Sequence, residues 1–218
     1  MPDSDAPAPE ARASSQPDFW NERFEAHDRL FGAVPDPFIA DVLSSLPATA
    51  HVVDVGGGDG RNTLPLARAH GFDLTVLDFA ASALDTAAAY ATQHDVSFAA
   101  LHADARTWSP QRTYDAAVVA FVQLLPHERS RLYTTLRDAV RPGGHIIGLW
   151  FRTDHAQPKY DRIGPSKSDR YVSIPTLQAA FASDTIHCCI PMDRYVEQGP
   201  VLRGQAALAH LHVQRQVE

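Results

Sequence analysis

At 218 residues the chain is long enough for one domain with a large buried core and too short for two of ordinary size. Its 26 acidic residues outnumber its 19 basic ones, for a formal net charge of −7, and no basic cluster interrupts the sequence, which argues against a surface that binds nucleic-acid phosphates. The longest mostly apolar run, Ala116 to Leu125, is too short to span a bilayer and contains Gln123, and the N-terminus has no basic-then-apolar leader. The expectation is a soluble, cytoplasmic protein without a membrane partner. Its two cysteines, Cys188 and Cys189, are adjacent, so they cannot form an ordinary disulfide and lack zinc-site spacing; they read as reduced strand residues.

Residues 1–17 are rich in Pro, Ala, Ser and Asp without apolar periodicity and are expected to be a disordered tail, followed by a single domain over 18–218. Phe19, Trp20 and Phe24 fall within one helical turn, and Asp36-Pro37 offers an N-cap with proline at the first helical position. Two helices over 18–48 therefore precede the first strand. Strands and helices then alternate: strand 51–55, helix from Arg61, strand 73–78, helix from Ser82, strands 96–101 and 115–121, helix 127–139, strand 144–151. Ser82-Ala83-Leu84-Asp85 has the spacing of a capping box, whereas 104–115 shows little helical pattern and predicts a short loop. Arg141-Pro142-Gly143-Gly144 ends a helix and turns the chain into the fifth parallel strand. Residues 152–172 are polar, charged and aromatic and form a covering loop; a helix near 174–182 and an antiparallel hairpin, near 185–196 and 201–214, complete the pattern. Such alternation gives a Rossmann-like, doubly wound α/β fold with a seven-stranded, mostly parallel sheet and an antiparallel last strand.

The most informative stretch runs from Val52 through Asp54, Gly56, Gly57, Gly58 and Gly60 to Arg61 and Asn62: an apolar strand entering a glycine-rich turn before a helix. Glycine admits positive φ and close backbone approach, and the following helix directs free N–H groups at an anionic ligand. Asp78 ends the next strand at the spacing where a carboxylate accepts ribose hydroxyls, so the pattern predicts an adenosyl-cofactor site. A dinucleotide turn wants G-x-G-x-x-G, and its third glycine would fall at Arg61. The chain instead reads Asp54-x-Gly56-x-Gly58-x-Gly60, and Asp54 can pair with an ammonium that NAD lacks.

This turn resembles motif I of the class I methyltransferases that use S-adenosylmethionine. Phe19 to Phe24, Phe31-Gly32, Pro35 to Phe38, Gly60-Arg61-Asn62 and Leu136 to Gly144 narrow the resemblance to the tellurite-resistance and thiol or thiopurine methyltransferase group, over about 18–213. The chain departs from that group at Gly57, where many members carry Cys, and lacks their glycine-rich stretch near 160–165. The resemblance implies that Asp54, Gly56 and Gly58 hold the methionine moiety, that Gly57 and Asn62 also belong to the cofactor site, that Asp78 and Phe79 hold the ribose and an adenine face, and that Asp104 and Ala105 reach the adenine edge. It places Phe121 and Gln123 near the methyl group. Arg61 is read either as a partner of the cofactor carboxylate or as a solvated first-turn residue, and Trp20 either as part of a lid over cofactor and acceptor or as a core anchor.

Methyl transfer from a sulfonium is an in-line displacement helped by alignment and exclusion of water, and it requires no metal. A thiol is already partly ionised near neutral pH, whereas a hydroxyl or ammonium needs a base. The predicted acceptor is therefore a small soft nucleophile: sulfide, a small thiol, or a selenium or tellurium species, enclosed by Trp20, Phe24, Phe31, Trp150 and the 152–172 loop. His155, His127, Gln123 and Tyr160 are the candidate catalytic side chains, with either histidine equally readable as a solvated residue. Arg152, Arg162, Arg170 and Tyr171 could hold a carboxylate, which keeps open N- or O-methylation of a small carboxylated metabolite. A non-catalytic module binding S-adenosyl compounds is the third reading. As an enzyme the protein would release S-adenosylhomocysteine, act on a small molecule, and be a monomer or homodimer.

Overall fold

The computed structural model describes residues 13–217. Seven strands form one sheet: β1 (His51–Val55), β2 (Asp73–Asp78), β3 (Phe98–His102), β4 (Tyr114–Ala120), β5 (Val140–Phe151), β6 (Thr185–Gln198) and β7 (Leu202–Gln214). Their order is β3-β2-β1-β4-β5-β7-β6, with β1 to β5 parallel and β7 antiparallel to both of its neighbours. The mostly parallel sheet with an antiparallel last strand is the one expected from the alternation.

Why the sheet is covered on both faces is visible in β1. Val52 and Val53 point to opposite faces, yet both are fully buried, because helices lie on each side. Val52 joins Ile39, Leu43, Leu64 and Val118 on one face. Val53 joins Leu77, Ala117, Leu132 and Leu136 on the other. The helices that supply these layers are α2 (Pro37–Ser44), α3 (Leu64–His70), α4 (Ala81–His94), α5 (Pro126–Ala139) and α6 (Ile174–Ala180). Asp36 caps α2 as expected, its side chain accepting the Phe38 N–H at 3.1 Å.

Several local expectations are corrected. Helix α3 begins at Leu64, not Arg61, because Gly60 takes φ 69° and its N–H returns to Gly57 O, which keeps the chain in a turn until Thr63. Ser82 forms no capping box: Ala80 is the N-cap of α4, and the Ser82 hydroxyl donates to Asn21 O at 3.0 Å, tying α4 to the N-terminal helix α1 (Pro17–Glu25). Strand β5 starts four residues early, at Val140, since residues 140 and 143–144 pair with Tyr114 and Arg215 across a bulge. Of the expected tail, residues 1–12 lie outside the described residues, but Ala13–Ser15 form a 3-10 turn and α1 starts at Pro17. Trp20 holds this turn by donating its indole N–H to Ser14 O at 3.1 Å.

Trp150, expected to face the acceptor, is 1% exposed and belongs to the core. Its indole N–H donates to Val122 O at 3.1 Å, and its ring lies over Gly148, where an added Cβ would come within 2.1 Å of it. Gly148→Ala is therefore expected to push the indole off its place and destabilise the protein by about 1–3 kcal/mol, measured as a lower midpoint in chemical denaturation; an unchanged midpoint would show that the ring can yield.

Candidate cofactor and acceptor site

In an open α/β sheet, a ligand crevice forms where consecutive connections leave in opposite directions at the carboxyl ends of the strands. Here that point lies between β1 and β4, neighbours in the middle of the sheet. The turn after β1 and the segment after β4 face each other across it: a Cβ added to Gly56 would lie 2.4 Å from Val122 Cγ2. Gly56, Gly58 and Gly60 all have positive φ.

Two carboxylates organise the turn. Asp78, at the end of β2, accepts the Gly58 N–H at 2.8 Å through Oδ2 and the Ala80 N–H at 2.9 Å through Oδ1. Burial pushes its carboxyl above the usual range, against those N–H bonds that favour the charged form. Asp54 is 1% exposed and lies beneath the turn, where a Cβ on Gly57 would come within 2.6 Å of its Cγ. Thr63 donates its hydroxyl to Asp54 Oδ2 at 2.7 Å. Burial drives the Asp54 carboxyl up to about 7, opposed by the Thr63 hydrogen bond and by Arg61. Asp54 thus braces the turn from below, and Thr63, which sequence reading did not single out, is its partner.

Arg61 is not solvated. It is buried, donates to Val34 O at 3.1 Å, and lies in the field of Asp36, Asp59 and Asp54, while burial lowers its pKa to about 10. Asn62 is also inward, accepting the Asp36 N–H at 3.0 Å. Asp36 in turn accepts from Arg194 and, at 3.0 Å, from Gln198, both on β6. This buried linkage between the pre-β1 segment and β6 joins residues 158 positions apart, so no local pattern announced it.

The N-terminal aromatics cover the turn. Phe24 is buried, and its Cζ would lie 3.0 Å from a Cβ on Gly58. Trp20, Phe24 and Phe31 pack with ring centroids 6.2–6.5 Å apart, and Phe79 joins the same cluster. Trp20 is half-buried, with its N–H already used, so in this structure it anchors the N-terminal segment. Asp104, expected at the adenine edge, is gripped by the Arg106 side chain, with Nε 2.9 Å from each oxygen. Burial opposes ionisation there, but Arg106 prevails and holds the Asp104 carboxyl below its usual range. Ala105 follows it, half-buried.

Phe121, just past β4, carries φ 57°, an uncommon backbone for a bulky aromatic residue. Its N–H donates to Leu149 O at 2.7 Å, and its ring lies 5.3 Å from that of Phe151. The strained residue sits at the mouth of the crevice, next to Val122 and Gln123. The Gln123 amide, oriented to suit its neighbours, donates to Arg170 O at 2.9 Å and accepts the Phe151 N–H at 3.3 Å.

The remaining candidates are occupied by the fold. His155 is 5% exposed: Nδ1 accepts the Ala207 N–H at 3.3 Å, so Nε2 carries the proton and donates to Ile163 O at 2.9 Å. Burial lowers its pKa. His155 therefore offers no free lone pair and is not a solvated loop residue. The Tyr160 hydroxyl donates to Asp193 at 2.6 Å; Arg152 pairs with Asp154 and Asp193. Arg170 is buried and donates to Gln123 O, and the Tyr171 hydroxyl donates to Pro165 O at 2.9 Å. His127 and Arg162 are exposed, His127 on the first turn of α5. The 152–172 segment is thus a cross-linked cover, with 3-10 turns at Thr153–Ala156 and Ser168–Arg170.

Residues 52–144 match the family described as "Methyltransferase domain". A 127-residue stretch is 28% identical to the ubiquinone biosynthesis O-methyltransferase of Rickettsia conorii, covering 57% of this chain and 43% of that protein. The chain thus spans less than half the length of this curated relative. Among solved structures, TehB from Haemophilus influenzae superposes with a TM-score of 0.68 at 15% identity, over 82% of this chain and 61% of that one. A SAM-dependent methyltransferase from Geobacter sulfurreducens in complex with S-adenosyl-L-homocysteine superposes with a TM-score of 0.59 at 18% identity, over 80% and 74% of the two chains. The fold is that of class I methyltransferases. The residues present fit the adenosyl cofactor of that class: a glycine cradle that a Cβ would fill, and an acidic side chain at the end of β2 beside it.

Two outcomes are expected. Asp78→Asn should weaken S-adenosylhomocysteine binding at least tenfold in calorimetric titration, the order expected for loss of a charge-assisted hydrogen bond; undiminished affinity would remove Asp78 from the site. Asp54, with a folded pKa of about 7 against 3.8 for the free side chain, binds more protons folded than unfolded between those values. Its contribution to stability therefore falls as pH rises through that window and is level above it. In denaturation midpoints from pH 4 to 8, Asp54→Asn should gain on the wild type as pH rises to about 7; a constant difference would mean that Asp54 is ionised throughout.

Proposed function

We propose that this chain, which carries a methyltransferase domain, is an S-adenosylmethionine-dependent enzyme that methylates a small soft nucleophile: sulfide, a small thiol, or a selenium or tellurium species. The observation that carries the reading is the commitment of His155 and Tyr160, two of the three candidate bases, to the fold. Among the described residues offered for that role, His155 has both ring nitrogens hydrogen-bonded within the protein, Tyr160 donates to Asp193, and His127 is exposed on the first turn of α5. A thiol with an ordinary pKa of about 8.5 is partly ionised at neutral pH and needs no base.

When bound, S-adenosylmethionine supplies an electrophilic methyl group on a sulfonium. Gly56, Gly57 and Gly58 would receive its amino-acid part, with Asp54 and Thr63 holding that turn, while Asp78 and Phe79 would take the ribose and adenine. Phe24, Phe31 and Trp20 would exclude water, and the Phe121–Phe151 pair would narrow the crevice beside the reacting carbon. Alignment and dehydration are then the catalytic contributions of the chain.

The sequence likeness to a ubiquinone biosynthesis O-methyltransferase favours a hydroxyl acceptor as the second reading. That reaction requires a base, and of the side chains expected to hold an acceptor carboxylate Arg152, Arg170 and Tyr171 have protein partners, which leaves the exposed Arg162 for that role.

Methyl-labelled S-adenosylmethionine with a panel of sulfide, short thiols, hydroselenide, small amines and phenols separates the two. Labelled thioethers or methanethiol are expected; turnover of amines or phenols alone would overturn the soft-acceptor reading. His155→Gln should change kcat by less than about tenfold and leave the shape of the pH profile intact, whereas removal of a true general base costs about 10²–10⁴-fold.

A further inference from the structure

Three histidines from three neighbouring strands meet away from the crevice. His145 lies on β5, His212 on β7 and His187 on β6, and one ring nitrogen from each falls within a group no more than 4.8 Å across. His145 Nδ1 and His212 Nε2 are 3.0 Å apart, and the ring centroids of His187 and His212 are separated by 4.8 Å. We propose that His145, His187 and His212 form a binding site for a divalent transition-metal ion of the zinc class, with a fourth position open to water.

The donor set is the first support. Three neutral imidazoles suit Zn²⁺, Co²⁺, Ni²⁺ or Cu²⁺ and not the oxygen-seeking Mg²⁺ or Ca²⁺. A tetrahedral ion with Zn–N near 2.0–2.1 Å needs ligand nitrogens about 3.3 Å apart. The His145–His212 pair is already within a few tenths of an ångström of that spacing. His187 has the freedom to close the remainder: it is exposed and occupies a bulge, since the β6–β7 register shifts between Ile186 and Cys188. Bulges re-aim side chains in this way.

The surrounding hydrogen bonds are the second support. Gln214 Nε2 donates to Gly143 O at 2.9 Å, which fixes the amide so that its Oε1 is free to accept. That oxygen lies 3.1 Å from His187 Nε2, so Nε2 carries the proton and Nδ1 keeps its lone pair. An outer acceptor that sets a ligand's tautomer is the arrangement that metal-binding histidines use. A bound ion would replace the hydrogen shared between His145 and His212, with the donor ring of that pair carrying its proton on the nitrogen turned away from the ion.

The site lies near the start of β5, six residues and about 20 Å along the strand from Phe151 at the crevice. Its ion would clamp β5, β7 and β6 together and would not touch the methyl-transfer chemistry. Nothing in sequence spacing could reveal it, because the three histidines are spread over 67 residues.

The test is equilibrium dialysis of the untagged, chelator-treated full chain against Zn²⁺, with Co²⁺ absorption as a reporter of coordination. One ion per chain and an intense visible Co²⁺ band of tetrahedral type are expected, with affinity at least tenfold weaker in His187→Ala and lost in His187→Ala/His212→Ala. His187 is exposed, so its single variant should keep the wild-type circular dichroism and cofactor binding. Absence of stoichiometric binding at about 100 μM Zn²⁺, or equal affinity in both variants and wild type, would overturn the proposal.

Discussion

The hydrogen bond from Gly58 N–H to the Asp78 carboxylate is the constraint on which the rest of the site depends. It joins the turn after β1 to the end of β2, so that the glycine cradle and the acidic residue beside it are one unit. A buried carboxylate persists only if its oxygens are satisfied, and two backbone N–H groups meet that need here. Asp54 repeats the device from below, with Thr63 as donor and Gly57 as the residue whose missing side chain leaves it room. The turn is thus gripped from two sides while its upper surface stays backbone.

That arrangement explains the work of the N-terminal segment. Phe24 closes over Gly58, and the loop behind it is pinned to the far edge of the sheet by Asp36, which binds Arg194 and Gln198 of β6. Gly32 and Gly199 pack backbone to backbone in the same region, close enough that a Cβ on Gly199 would lie 2.5 Å from Leu30 O. The cover over the crevice therefore draws its position from the last hairpin, about 160 residues later in the chain, and β6–β7 support the site as well as ending the sheet.

Much of this was legible in the sequence because it is local. The parallel strands read as short apolar runs, the Gly56–Gly60 turn stood out by composition, and Asp36-Pro37 announced α2 with a cap that the structure contains. The late start of α3 is set locally, by the Gly60 turn, whereas the corrections at Ser82, Arg152, His155 and Trp150 share one cause, which is tertiary partnership. Ser82 has capping-box spacing, yet its hydroxyl is taken by Asn21 of α1. His155 and Arg152 read as loop residues in a polar stretch, but β7 and β6 give them buried or paired environments. Trp150 looked available as an aromatic near a strand end, and only the bare surface of Gly148 shows why its ring turns inward. The three-histidine cluster belongs to the same category, since strand pairing alone unites it.

A crystal structure of the protein with S-adenosylhomocysteine tests the cofactor assignment most directly. The ribose hydroxyls are expected on Asp78, the adenine against Phe79, and the amino-acid portion over Gly56 to Gly58 with Phe24 closed upon it. Ligand bound elsewhere, for instance in the groove between α1 and α4 lined by Arg29, Asp85 and Tyr90, with Asp78 still facing backbone N–H groups alone, would contradict it.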